Sequence, residues 1–252
     1  MEVWWVWVGA AIVGVVAGII NTLAGSGSLL TLPMLIFLGL PADVANGTNR
    51  VGIIVQSMVA VATFRHGGKF EIGPREWKLA GIAFVGSVLG ALVAVQMNDV
   101  VMRIVIAAVM LGSLVVILAK PGQFAAKDTR EKPLTPLLLL AFLAIGVYGG
   151  FIQASVGILL LVALVAGAGY DIVKANGLKL FLTIMFTAGA IPIFALNSQI
   201  DWGLGALMAG GQSLGAWMAA RFAVKSDKAA DWIQRLIVVV IIFSVIKLLV
   251  DL

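Results

Sequence analysis

The sequence predicts an all-α integral membrane protein of two inverted repeats, each a broken or re-entrant helical hairpin followed by three transmembrane helices. Three observations carry this reading. First, 62% of the 252 residues are hydrophobic, against only 17 Lys and Arg and 12 Asp and Glu, whereas a water-soluble domain of this size must clothe itself in polar side chains. Second, residues 3–42 contain no charge, and a helix of that length would be roughly 60 Å long, twice the ~30 Å hydrocarbon thickness, so the chain must enter and turn back. Third, after a polar stretch the same pattern starts again: residues 134–170 are also free of charge.

The first hairpin breaks at Asn21-Thr22-Leu23-Ala24-Gly25-Ser26-Gly27-Ser28, where glycine and serine lower helix propensity and asparagine offers the backbone other partners. Beyond the break, residues 29–40 are too few for a full crossing, so this leg is re-entrant. Charge-poor segments follow at about 45–64, 76–97 and 100–119, closing a first repeat over 1–119. Residues 120–133 are the linker. The second repeat, 134–252, opens with a hairpin broken at Gly149-Gly150-Phe151-Ile152-Gln153-Ala154-Ser155-Val156-Gly157 and continues with segments at about 176–196, 202–220 and 232–250. The N-terminus has neither a basic n-region nor a small-residue cleavage site, so the first segment is expected to remain as a membrane helix.

The two halves also match residue by residue. At an offset of 132, Gly14, Gly18 and Gly25 fall on Gly146, Gly150 and Gly157, and Asn21 falls on Gln153; at 130, Ala45-Asn46-Gly47 falls on Ala175-Asn176-Gly177; at 125, Gly86 and Gly90 fall on Gly211 and Gly215. Basic residues gather at Arg65/Lys69/Arg75/Lys78, in the linker, and at Arg221/Lys225/Lys228, while Asn98-Asp99 and Asn197-Ser198-Gln199 carry none. Because cytoplasmic loops collect Lys and Arg, loop 65–78 and the linker are expected inside and the repeat partner of that loop, 195–202, outside. Each repeat then crosses an odd number of times, and both termini are expected on the non-cytoplasmic side.

Cysteine is absent and histidine single, which excludes disulfide scaffolds, thiolate metal sites, cysteine nucleophiles and multi-histidine metal centres. The net charge of +5 is scattered between apolar runs rather than clustered, so it reads as orientation charge and not as a nucleic-acid footprint. No cofactor is expected, and the Gly-Ser-Gly-Ser run lacks the Lys-Ser/Thr of a phosphate-binding loop. His66 is expected exposed in a basic loop, the carboxylates at segment ends, and the tryptophans in an interfacial belt.

Inverted repeats are a transporter signature and place a substrate near the midplane, where helices are broken. The hairpin tips therefore supply the first candidates: Asn21, Gly25, Ser26, Gly27 and Ser28, with Tyr148, Gln153, Ser155 and Gly157. Glycine and serine also simply let helices approach closely. A second group opens the following segment: Asn49, Arg50 and Gln56 in one half, Asn176 and Lys179 in the other. A cation at a helix start can be an interfacial anchor, yet both halves carry one a turn or two into the span, where an inward-facing cation marks a substrate or counter-ion site.

The arrangement Gly-x3-Gly-x2-Asn-x2-Ala-Gly-Ser-Gly-Ser-Leu-Leu-Thr-Leu-Pro (14–33), then Gly39-Leu40-Pro41 and Gly47-Thr48-Asn49-Arg50, with Gly169-Tyr170-Asp171 and Ala175-Asn176-Gly177-Leu178-Lys179 in the second half, resembles the TauE/SafE sulfite exporter family over nearly the whole chain. The resemblance implies an integral inner-membrane transporter of sulfite, sulfoacetate or another small organosulfur anion, expected to export it. In that reading backbone N–H groups and the hydroxyls of Ser26, Ser28 and Ser155 hold the anion's oxygens, Asn21 and Gln153 orient them, and Arg50 and Lys179 offset the charge. The alternatives are a carrier of a small carboxylate and a non-transporting membrane receptor. An intramembrane protease would need Ser–His, paired Asp or a metal. The expected partners are the small anion and the bilayer, with self-association left open.

Overall fold

The computed structural model describes residues 4–66, 71–118 and 131–222. Over these residues the chain is helical: α1 (Trp4–Ala24), α2 (Ser28–Phe37), α3 (Ala42–His66), α4 (Pro74–Ala94), α5 (Asp99–Leu118), α6 (Pro136–Phe151), α7 (Val156–Val162, continued as a π-helical turn, Ala163–Gly167), α8 (Ile172–Leu196) and α9 (Trp202–Phe222). Among the described residues three windows are long and apolar enough to cross a membrane: Trp7–Ala24, Pro74–Ala94 and Ile172–Leu196. The expected segment at 232–250 and most of the linker lie outside the described residues. His66 is exposed as expected, but it ends α3 rather than sitting in a loop, and its Nδ1 lies 2.7 Å from the Ala62 carbonyl.

Both hairpins break where expected. α1 ends at Gly25, whose φ of +75° a side chain would strain, and whose N–H closes the helix on the Asn21 carbonyl at 2.9 Å. α6 ends by going extended at Ile152, and the chain re-enters a helix through Ser155 in the left-handed region. The carboxylates cap helix starts: Asp171 accepts from the N–H groups of Val173 and Lys174, and Asp201 from Leu204.

The helices pack through small residues, because lipid gives no hydrophobic drive between spans and close backbone contact must supply the attraction. α1 lies on α9, with Gly14 against Gly211, Gly18 against the Gln212 backbone and Gly215 against the Val15 carbonyl. α6 lies on α4, with Gly146 against Ala83, Gly150 against Ser87 and Gly90 against the Val147 carbonyl. Between these pairs run α3, against α9 and α8, and α8, against α4 and α3.

At the end of the molecule carrying Arg65, Arg75 and Lys78, an ionic cluster joins α4 to the second half. The Tyr170 hydroxyl donates to Glu76 Oε1 at 2.8 Å, Lys174 Nζ lies 2.7 Å from Glu131 and 3.6 Å from Glu76, and Arg75 donates to the carbonyls of Lys132 and Ala168. Burial and the Glu76 carboxylate push the Tyr170 phenol above its ordinary pKa, so it remains a donor. At the opposite end carboxylates act as acceptors: the Ala42 N–H and Arg103 donate to Asp99, and Gln199 donates to Asp43 and to the Val95 carbonyl, while the Asp201 N–H donates to Thr48.

Candidate functional site

The two hairpin tips meet inside the bundle. Gly25 and Gly157 touch backbone to backbone, so that a Cβ on Gly25 would sit 2.6 Å from the Gly157 Cα. The Ser28 hydroxyl reaches across to the Gln153 carbonyl at 3.4 Å. Beside this contact lies a cavity of about 10 Å³, lined by Asn21, Gly25, Ser28, Gln153, Gly157 and Lys179, with Ile53, Val156, Leu180 and Thr183. That is room for about one water molecule. The first residues of both short legs, Ser28 of α2 and Val156 and Gly157 of α7, border it, so the positive ends of two helices converge there.

Two fully buried cations define the surroundings. Arg50, two turns into α3, is 0% exposed and donates through Nη1 to the Gly149 carbonyl at 2.9 Å and through Nη2 to those of Gly150 at 2.7 Å and Phe151 at 3.3 Å. Its guanidinium also lies 4.4 Å from the centre of the Phe194 ring. Lys179 of α8, 1% exposed, donates to the carbonyls of Asn21 at 3.2 Å and Thr22 at 3.0 Å. Each cation thus caps the C-terminal end of the broken helix in the other half, where the last carbonyls and the helix dipole favour positive charge. Among the described residues neither is paired with a carboxylate. The two differ in one respect: Lys179 lines the cavity and Arg50 does not.

The other candidates divide. The Asn49 Oδ1 accepts from Thr31 at 2.6 Å while its Nδ2 is unbonded, and the Gln153 Nε2 donates to Thr187 at 2.6 Å while its Oε1 is unbonded. Tyr148 donates to the Ala154 carbonyl at 2.6 Å, bracing the second tip. Gly27 packs on the Ala17 carbonyl. Ser26 and Ser155 are buried with unbonded hydroxyls, Asn176 keeps an unbonded Oδ1, and Gln56 is buried with neither amide atom bonded. Ser26, Asn49, Gln56, Tyr148, Ser155 and Asn176 do not line the cavity.

Four polar residues outside the sequence candidates prove integral. Thr31 and Thr187 hold Asn49 and Gln153, Thr22 presents its carbonyl to Lys179, and Gln212 is buried in α9 with an unbonded Nε2. The available signal was a lone polar residue in an apolar helix; a residue of that kind is costly in lipid.

The sequence profile described as Sulfite exporter TauE/SafE matches residues 10–248. The chain is 29% identical over 237 residues to a probable membrane transporter protein, ORF9, of a Sinorhizobium species, covering 94% of this chain and 89% of that one. It is 29% identical over 243 residues to the probable membrane transporter protein YfcA of Escherichia coli K12, covering 95% and 88%. A probable membrane transporter protein of Haemophilus influenzae is 27% identical over 242 residues, covering 95% and 92%. No solved structure matches the chain. A profile match over residues 10–248 of an apolar chain whose described residues fold into helices, with two broken hairpins meeting tip to tip among them, leaves one assignment: the chain belongs to the sulfite exporter TauE/SafE family and is a membrane transporter rather than an enzyme.

Proposed function

We propose that the chain carries a small sulfur oxyanion or organosulfonate, of the sulfite or sulfoacetate type, outward across the inner membrane through the site between the hairpin tips. The observation that carries this reading is the convergence of two helix N-termini and the Lys179 ammonium on one cavity, a combination that favours negative charge. Ser28, Asn21 and Gln153 stand around it as hydrogen-bonding groups for oxygens. At about 10 Å³ the cavity is closed around space for a water, so admitting an anion requires the tips to part. A negative cell interior pushes an anion outward by about 2.3 kcal/mol per charge per 100 mV, which favours export without a second driving ion.

Inverted repeats over 1–119 and 134–252, joined by a cytoplasmic linker, account for the packing. The contact of Gly18 with Gln212 maps onto that of Gly150 with Ser87, and the contact of Gly215 with Val15 onto that of Gly90 with Val147, at the offsets of 132 and 125. The reciprocal capping by Arg50 and Lys179 obeys the same exchange of halves.

The test is purified protein in liposomes loaded with sulfite or sulfoacetate. Efflux that exceeds protein-free liposomes and accelerates when a potential negative inside is imposed supports the proposal. Absence of flux for both anions, with flux of a small carboxylate, assigns the carrier to the other substrate class.

A further inference from the structure

The seam between α4 and α6 opens outward into a groove of about 570 Å³, separate from the cavity at the hairpin tips. Ile82 and Val85 of α4 line it together with Leu139, Leu140 and Leu143 of α6. Val85 and Leu140 are each more than half exposed, and α4 is long and apolar enough to cross the membrane, so the groove faces lipid. Gly81 lines it too, and a Cβ there would meet nothing within 4 Å, whereas one on Gly86, further along α4, would strike the Leu143 carbonyl. Gly81 therefore serves no helix contact. Glycine is a poor helix former, and what this one keeps is space.

One end of the groove is charged. Trp77 and Lys78, at the start of α4, line it there. The Trp77 ring is held edge-on against Phe181, with centres 5.0 Å apart, and is more than half exposed, as a ring at headgroup level is. Lys78 is exposed, and among the described residues it forms no ion pair, while nearby Arg75 is engaged with Glu131 and two carbonyls. Val85 lies two turns deeper, roughly 10 Å along the axis. Along the groove, then, a free cation and an interfacial ring give way to aliphatic side chains alone, which complements an anionic headgroup followed by an acyl chain. At the offsets that match the two halves, Trp77 falls on Trp202, but Lys78 falls on Gly203, Gly81 on Ala206 and Leu139 on Trp7. The cation and the bare position thus belong to this groove and not to the helix pairing as such. We infer that the groove binds one anionic phospholipid of the leaflet at that end, its phosphate on the Lys78 ammonium and an acyl chain laid past Gly81 between α4 and α6. Basic pockets between membrane helices hold headgroups of this kind. The inference does not depend on what the protein transports.

The experiment takes delipidated protein in detergent and measures its melting temperature with added phosphatidylglycerol or with phosphatidylcholine of the same acyl chains. The variants are Lys78→Ala, Gly81→Leu and, as a control, Arg65→Ala, an exposed cation of the same end that does not line the groove. Phosphatidylglycerol should raise the melting temperature of the wild type about 2–4 °C further than phosphatidylcholine does, the scale of one basic residue on an anionic headgroup in a chain of this size. Lys78→Ala and Gly81→Leu should each lose that difference with no fall in the lipid-free melting temperature, because Lys78 has no ion pair to lose and a side chain at Gly81 enters open space. Arg65→Ala should keep it. Equal shifts from the two lipids overturn the site, since the groove is then in ordinary contact with the bilayer. A difference that survives Lys78→Ala or Gly81→Leu overturns it too, as does one lost equally in Arg65→Ala, which would mean diffuse charge. A wild type that responds to neither lipid also overturns it and, where the protein runs as a dimer, gives the groove to a second copy. If Gly81→Leu does not fold, Lys78→Ala against Arg65→Ala decides. None of these outcomes touches the transport reading.

Discussion

Arg50→Gln tests whether the buried guanidinium is a structural cap as well as a charge. The substitution removes the donors to the carbonyls of Gly149, Gly150 and Phe151, bonded at 2.9, 2.7 and 3.3 Å, and abolishes the stacking on Phe194. Two short bonds from a charged donor are each worth about 1.5–3 kcal/mol, and a desolvated cation–π contact about 2 kcal/mol. Against this stands relief from burying a charge, which costs several kcal/mol. The net expectation is about 3 kcal/mol of lost stability, roughly 6–12 °C in melting temperature on the scale of a domain this size. Arg50→Lys keeps the charge but not the planar fork, so it should recover about half of that shift. Tryptophan fluorescence during a thermal ramp of detergent-purified protein reads both. An Arg50→Gln protein melting within about 2 °C of the wild type would show that the three carbonyls need no cap and that this reasoning is wrong.

Gly25→Ala combines a left-handed φ with a 2.6 Å approach to Gly157; it should cost at least about 1–2 kcal/mol from the backbone alone and stop transport, and wild-type flux would contradict the tip-to-tip contact. Asn21→Ala and Gln153→Ala should each weaken anion binding by about 1.5–3 kcal/mol at equal expression; normal transport by both would leave them as packing residues. Glu76→Gln, which disturbs a buried acceptor of Tyr170, should lower the melting temperature more than Glu131→Gln, whose half-exposed pairs are worth at most about 1 kcal/mol; the reverse order would mean that the outer bridges hold the cluster. Reporter fusions in 120–133 should read cytoplasmic and fusions at Asn98 and Ser198 external, and the opposite assignment would reverse the orientation drawn from the basic loops.

Both hairpin breaks were legible in the sequence, because an uncharged run too long for one crossing must turn somewhere, and Gly25 and the Gly149-Gly150 pair supply the weak points. The ends of α3 were less so: its polar first turn reads as a loop, yet Asp43 and the Asp99 cap draw the helix back to Ala42. The capping roles of Arg50 and Lys179 lay beyond the sequence. A cation one or two turns into a span reads equally as anchor or ligand, and the carbonyls it satisfies arrive from a helix about 100 or 158 residues away. Gln212 was hidden for a similar reason: its amide packs on the bare backbone of Gly52, a residue of another helix conspicuous only for what it lacks.

The reciprocal capping also bears on how the protein is made. The Asn21 carbonyl precedes its cap, Lys179, by 158 residues, an interval of roughly 8–30 s at ordinary synthesis rates. Throughout that time the end of α1 has only its own Gly25 N–H on the Ile20 and Asn21 carbonyls and lacks the ammonium, while Arg50 waits for the carbonyls of α6. Neither half can settle its own broken helix, so the ribosome delivers two incomplete pieces that finish each other. Severed halves expressed separately would each carry a buried cation without its carbonyls and a helix end without its cation.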